Sequence, residues 1–409
     1  MARPLSPYWV FASLTAALSA GYGVLFTVVG DFRDEYGISA TAIGIVIGAG
    51  FLAGFVAQVF IAPIADRGRA RQLIAIGAAA DIAGLLMMGF GESLAVILAG
   101  RIVSGLGIGA AAPAIRRIVI LTDPDNLGQN LGRLLSANVF GFALGPAVSA
   151  VLVGPMGLSA PFVVVAAVAA LLLPLTLFVN VNETEDISHQ RLALDLLRSR
   201  VVAGAVILGA TAFLMIGAFD ALWDVVHEDL NTPTWMANLG ITLFAVPMVI
   251  LGPTGGRLAQ RIGPFRIAAL GLLAGAAFMF IYGQVPTGTW IFAVSMVHAV
   301  SDGLTMVAPG VAVAMAVPNE RQAGAQGVMG AAQALVAGIA AIAVGALYEE
   351  SGRAVAYAAG AASMVVLIAT AMVLAARFWR SGRHRKVDST ALTAELASGV
   401  PISPTTTLP

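Results

Sequence analysis

The chain has 409 residues, of which 59% are hydrophobic and 11% charged, with 22 basic and 22 acidic side chains and no cysteine. A soluble domain carries about a quarter charged residues, so this chain lacks the charge to coat a water-facing globule. The missing cysteines exclude a secreted disulfide scaffold, the zero net charge argues against a nucleic-acid binder, and the apolar excess excludes a disordered chain. An integral membrane protein remains.

A bilayer core about 30 Å thick takes about 20 apolar residues per helical span. Twelve such stretches follow one another, at 9–30, 42–65, 72–91, 94–119, 130–154, 159–180, 201–224, 236–256, 265–285, 289–316, 323–347 and 353–377. They are rich in Ala, Leu, Val, Ile and Gly and lack the alternation of an outer-membrane strand, so helices are expected rather than a barrel. The first is longer than a signal-peptide core, and its flank Met1–Pro7 holds only Arg3, so it reads as a retained helix. With the N-terminus inside, the inner loops and tails hold 17 of the basic residues and the outer loops only Arg33 and Arg353. The positive-inside rule then places both termini in the cytoplasm.

The one long inner connection, Val181–Arg200, divides the spans six and six. Its Glu183, Glu185, Asp186 and His189 precede Leu192, Leu194, Leu196 and Leu197, the pattern of a short interfacial helix. The expected division is a first six-helix bundle over 1–180, a linker over 181–200, a second bundle over 201–377 and a disordered cytoplasmic tail over 378–409. The halves echo each other. Ala65 and Arg67 return as Ala259 and Arg261, a shift of 194, and Pro113 and Gly128 return as Pro309 and Gly324, a shift of 196. Asp34 and Glu35 before Gly37 have an echo in Glu228 and Asp229 before Asn231. Duplicated six-helix halves with a substrate held between them are a transporter architecture.

Several motifs carry a family resemblance. The loop after the second span reads Ala62-Pro-Ile-Ala-Asp66-Arg67-Gly68-Arg69-Ala-Arg71. It resembles the G-x-L-A-D-R-x-G-R-R loop of the major facilitator superfamily, with alanine for the first glycine and the second glycine one place early. Its second-half echo, from Gly256 through Gln260 and Arg261 to Gly263, keeps the glycines and lacks the acid. The fourth span holds Arg101, Gly105, Gly107, Gly109 and Pro113, similar to the arginine–glycine motif of proton-coupled members. The fifth holds Gly141, Gly145 and Pro146, similar to an antiporter motif whose last two glycines are here Ser149 and Ala150. The resemblance covers 9–377 and implies an all-α fold of twelve transmembrane helices in two pseudo-symmetric six-helix bundles. It also implies the drug:proton antiporter branch, a gating role for the Asp66 loop, a proton-transfer role for Arg101, and a central cavity lined by spans one, four, seven and ten.

Physical chemistry gives each motif a reading of its own. Asp66 is expected near a helix end, accepting bonds from a neighbouring helix's N-terminal amides. Arg67, Arg69, Arg71 and Arg261 can pair with acids in a charge lock that opens in one state, or simply anchor inner loops on anionic headgroups. Gly105, Gly107 and Gly109 let a neighbouring helix approach at backbone distance, while Arg101 needs water or a partner and can bias a nearby carboxylate. Gly141, Gly145 and Pro146 make the fifth span bendable and closely packed.

A carboxylate inside a span is by default a functional-site hypothesis. Asp302 lies near the middle of span ten with His298 one turn earlier, and the two can share a proton or merely satisfy each other. Asp220, a turn before Asp224 towards the outer end of span seven, is the second candidate for the coupling proton. Asp81 reads as helix–helix glue. Tyr22, Phe26, Phe219, Trp223, Met306 and the amide of Asn138 are expected on the cavity wall, a flexible and apolar surface suited to varied cargo.

No G-xxxx-G-K-[ST] loop, H-E-x-x-H helix or Ser/His catalytic arrangement stands in the sequence, so neither an internal ATPase, a metal, an organic cofactor nor an enzyme is expected. The sequence reads as a monomeric secondary transporter in a bacterial plasma membrane, with the lipid bilayer, protons and a small molecule as its partners. The expected activity is proton-coupled efflux of lipophilic or amphipathic compounds by alternating access. Transport of a small polar metabolite, or lipid and lysolipid flipping, are the alternatives.

Overall fold

The computed structural model describes residues 7–179 and 192–380, and all regular structure among them is helical. In order the helices are α1 (Pro7–Tyr36), α2 (Ala40–Val56), α3 (Ala70–Phe90), α4 (Leu94–Thr122), α5 (Leu127–Met156), α6 (Ser159–Leu172), α7 (Arg200–Asp229), α8 (Thr234–Ile262), α9 (Pro264–Gln284), α10 (Gly288–Thr305), α11 (Ala308–Ala316), α12 (Gln322–Leu374) and the short α13 (Ala376–Arg380). Among the described residues, eleven stretches are long and apolar enough to cross a membrane. The last of them, Asn319–Leu374, is broken at Gly352, whose φ of 81° no helix interior allows, so it supplies two spans. Twelve spans result. Their outward faces are apolar, as at Leu171, Ile342 and Val373, each more than 70% exposed, which fits lipid as the solvent.

Local chemistry sets the ends. The hydroxyls of Ser39, Ser199 and Thr287 accept from the N–H groups of Ala42, Val202 and Trp290 and so cap α2, α7 and α10. After α2 the chain widens into a π-helical turn, Ala57–Ile61, and then tightens into a 3-10 turn, Ala62–Arg67, which Gly68 ends in the left-handed region at φ 74°. Two expectations are corrected. Stretch 289–316 is not one helix: it stops at Thr305 and restarts at Ala308, because Pro309 offers no N–H to continue the ladder but suits a first turn. In the linker, the part of the expected interfacial helix that is described, Leu194–Arg198, is a 3-10 turn with Leu196 buried. Residues 180–191 and the tail from 381 lie outside the described residues.

The helices gather into two compact units. One takes in the described residues of Met1–Pro124, Arg133–Ala193 and Glu320–Gly327, the other those of Asp125–Gly132, Leu194–Asn319 and Val328–Pro409. Each unit thus combines most of one sequence half with the opening turns of a helix from the other half. At one end of the first unit, Phe32 stacks on Phe162 with ring centroids 5.9 Å apart, among Val28, Val46, Leu85 and Met88.

Candidate functional site

In the first unit Asp66 is 2% exposed and every bond it makes is buried with it. Its Oδ1 accepts from Arg117 Nε at 3.0 Å and from the Ala323 N–H at 2.9 Å, and its Oδ2 accepts from the Gly324 N–H at 2.7 Å. The two amides open α12, so the carboxylate neutralises a helix N-terminus and a guanidinium at once. Arg117 stands on α4, 51 residues away in sequence, and the arginine–glycine motif gave no sign of it. The loop arginines behave differently. Arg71 donates to the carbonyl of Val179, Arg69 is exposed, and Arg67 is partly buried.

The second unit repeats the arrangement without charge. Gln260, at the position that echoes Asp66, accepts from the Gly128 N–H at 2.8 Å through Oε1 and donates to the Asp125 carbonyl at 3.0 Å through Nε2. Gly128 opens α5 as Gly324 opens α12, so the duplicated motif performs one structural task twice. Position 313, the echo of Arg117, is a buried valine, because a neutral amide needs no counter-charge. Arg261 is exposed beside it. Gln260→Ala is expected to lower stability by about 2 kcal/mol, the net worth of the two ordinary hydrogen bonds it makes. A loss above about 3 kcal/mol in detergent melts would contradict a neutral cap.

The fourth-span glycines serve packing. A Cβ on Gly105 would strike the Gly50 carbonyl of α2, and one on Gly109 would lie 2.6 Å from the Gly54 carbonyl. On another face of α4, a Cβ on Gly107 would lie 2.7 Å from the Asp81 nitrogen of α3 and closer still to the Gly77 carbonyl. The backbones therefore touch, as close membrane helices do. Pro113 is buried within α4, a place proline can hold where neighbouring helices satisfy the freed backbone. On α5, Gly141 and Gly145 pack in the same way against Ala16 and Gly23 of α1, with Pro146 next along the helix. Asp81 accepts from Ser104 Oγ at 2.5 Å, tying α3 to α4.

Arg101, 1% exposed, lies with its guanidinium carbon 4.2 Å from the centre of the Tyr22 ring. A Cβ on Gly50 would overlap that guanidinium, so the glycine makes the room for it. Tyr22 in turn meets Phe26, Phe51 and Phe142 with centroids 5.2, 5.7 and 6.4 Å away. Asn138 is exposed one turn before Phe142 on α5.

In the second unit His298 and Asp302 of α10 are 1% and 3% exposed. Imidazole Nε2 lies 3.4 Å from Asp302 Oδ1, close enough for an ion pair though too long for a well-formed hydrogen bond. The other nitrogen, Nδ1, is 2.9 Å from the hydroxyl of Tyr282 on α9. That bond engages Nδ1 and leaves Nε2 to face the acid. Phe278 stacks on the imidazole at 4.7 Å and Phe244 meets it edge-on at 5.4 Å. Tyr282 was invisible in the sequence, being one aromatic residue in an apolar helix.

Asp220 and Asp224 are both exposed, one turn apart on α7. Met306 is partly buried where α10 ends. Phe219 and Trp223, expected on an open wall, are 6% and 1% exposed. Trp223 packs on Gly240 and donates its indole N–H to the Ala237 carbonyl at 2.9 Å, so both rings belong to the core of the unit.

Twelve spans in two repeated sets, with a buried acid–imidazole pair and capped loops between spans, define a polytopic helical carrier. The family model described as Major Facilitator Superfamily matches residues 11–235 and 205–404, and the chain belongs to that superfamily. It is 25% identical over 278 residues to the Multidrug resistance protein MdtG of Serratia proteamaculans (strain 568), covering 65% of this chain and 67% of that protein. It is 22% identical over 275 residues to the Multidrug resistance protein 2 of Bacillus subtilis (strain 168), covering 64% and 68%. Among solved structures it resembles the proton:xylose symporter XylE bound to 6-bromo-6-deoxy-D-glucose, with a TM-score of 0.77 at 15% identity over 96% of this chain and 99% of that one. That likeness shows the shared fold. The chain is thus a multi-pass membrane transporter and not an enzyme.

Proposed function

We propose that this transporter exports lipophilic or amphipathic compounds in exchange for protons, by alternating access. The observation that carries the reading is the buried Asp302–His298 pair. A lone charge at membrane depth is costly, whereas a carboxylate with an imidazole one turn away can take up and release a proton at modest cost. Arg101 and Asp220 are assigned secondary parts in the proton path, Arg101 as a fixed positive charge and Asp220 as an accessible acid.

The Asp66 loop is the proposed gate, since its bonds to Arg117 and to the start of α12 must break if the loop is to move. The relatives called multidrug resistance proteins favour drug-like cargo. So do the aromatic surfaces, because a sugar would need many fixed polar groups. We further assign the chain to a bacterial plasma membrane as a monomer, and the distribution of its arginines supports both termini on the cytoplasmic side. The halves 1–180 and 201–377 are taken as the moving bodies.

The test is proton movement in proteoliposomes under an imposed pH gradient, with lipophilic organic ions, lysolipids and sugars added in turn. Flux evoked by the amphipathic compounds and lost in Asp302→Asn is the expected result. Flux that survives the substitution would transfer the coupling to another acid, with Asp220→Asn next. Absence of flux with every compound would overturn proton antiport.

A further inference from the structure

We propose that the aromatic cluster of the first unit, Tyr22, Phe26, Phe51 and Phe142, is a binding surface for planar aromatic cargo bearing a negative charge, and that Arg101 behind Tyr22 sets that sign. The inference rests on the transport reading above and names the cargo class that this surface takes.

Position comes first. Phe26, Phe51 and Phe142 are 38%, 41% and 37% exposed, from three different helices, and their rings converge on Tyr22. Aromatic faces at membrane depth are ordinary against lipid, but an amide is not. Asn138 is exposed on the same stripe of α5 as Phe142, and an amide turned to hydrocarbon without a partner would cost several kcal/mol. This face is therefore built for something more polar than a lipid tail, while its rings offer π surface for stacking.

The sign follows from Arg101. Its guanidinium lies against Tyr22 at 4.2 Å and within 5.9 Å of the Phe51 centroid. It is sealed from water, and its Nε and Nη2 have no hydrogen-bond acceptor. Asp81 on α3 acts on Arg101 through space, but its carboxylate bonds Ser104 and forms no hydrogen bond with the guanidinium's Nε or Nη2. Arg101 cannot deprotonate, so the positive charge under the ring is permanent.

One face of the tyrosine quadrupole is thus already occupied by a cation. A second cation stacked on the cluster would meet both a depleted ring and a like charge through a poorly polarisable medium. An anion there would meet attraction. For unit charges about 8 Å apart at the effective dielectric of a protein, the difference between the two signs exceeds about tenfold in affinity.

The test compares 2-naphthoate with 2-naphthylmethylammonium, which share a ring system and differ in charge, by equilibrium dialysis against the purified full chain in nanodiscs. Wild type is expected to bind the naphthoate about tenfold or more tightly than the ammonium compound. Arg101→Lys is expected to keep the preference, and Arg101→Met to bring the two affinities within about twofold. Tyr22→Leu and Phe142→Leu are expected to weaken the naphthoate at least fivefold, and they serve the test if Arg101→Met does not fold. Equal binding of both probes by wild type, tighter binding of the cation, or a preference that persists in Arg101→Met would overturn the assignment. So would naphthoate binding that both ring substitutions leave unchanged. Its failure is separable from that of proton antiport. Coupled flux driven by lipophilic cations and unaffected by Tyr22→Leu would sink the anionic surface and leave the antiport standing. Charge-selective binding without coupled flux would do the reverse.

Discussion

Asp66→Ala is expected to lower the stability of the first unit by about 3–5 kcal/mol, the range for removing one partner of a buried ion pair. Three groups lose their acceptor together: the guanidinium of Arg117 at 3.0 Å and the opening amides of α12 at Ala323 and Gly324. Arg117 is 1% exposed, so water cannot replace the carboxylate without a rearrangement. Thermal unfolding in detergent checks the loss, and it should be about twice that of Gln260→Ala. Adding Arg117→Met should restore much of the stability, since the uncompensated charge is the larger part of the penalty. An Asp66→Ala protein as stable as wild type would show that the pair contributes nothing net.

Gly107→Leu should cost about 3 kcal/mol or more, because overpacking a tight core forces backbone to move. Its first side-chain carbon would fall 2.7 Å from the Asp81 nitrogen and nearer to the Gly77 carbonyl, and neither is a flexible end that can turn away. Helix α4 would have to leave α3, stretching the 2.5 Å bond from Ser104 to Asp81 as well. Gly44→Leu is the internal control, since nothing lies within 4 Å of a Cβ there. The first substitution should depress folded yield and melting temperature while the second leaves both close to wild type. Equal effects would mean that helix propensity, not contact, decides.

The twelve spans were legible because a bilayer imposes one length on every apolar run. The break at Gly352 was legible for the same reason: hydropathy ends one span at 347 and starts the next at 353. The split of the tenth span was missed although Pro309 announces it, because both pieces are apolar and hydropathy does not register a lost hydrogen bond. Helix capping by Asp66 followed from charge and position, and its amides at Ala323 and Gly324 bear that geometry out. Arg117 could not be found that way, since pairing across 51 residues depends on how α2 and α4 lie together. Phe219 and Trp223 went astray for a reason peculiar to membranes. Lipid and core demand the same apolar side chains, so periodicity does not tell an open wall from a sealed one. Tyr282 escaped notice because only the three-dimensional approach of α9 to α10 makes its hydroxyl more than one aromatic residue in a hydrophobic run.

The two capped loops amount to a controlled experiment already present in the chain. Position 66 and its echo at 260 hold the first turns of two helices with the same atoms, side-chain oxygen to glycine N–H, once with a charge and once without. The neutral copy shows that the hold itself does not require a carboxylate. What the acid at 66 has and the amide lacks is its attraction to guanidinium groups, Arg117 at 3.0 Å and Arg321 through space. A duplicated fold that keeps a contact twice and electrifies it once has made its two copies unequal in their response to the medium, one held by an ion pair and the other by the hydrogen bonds of a neutral amide.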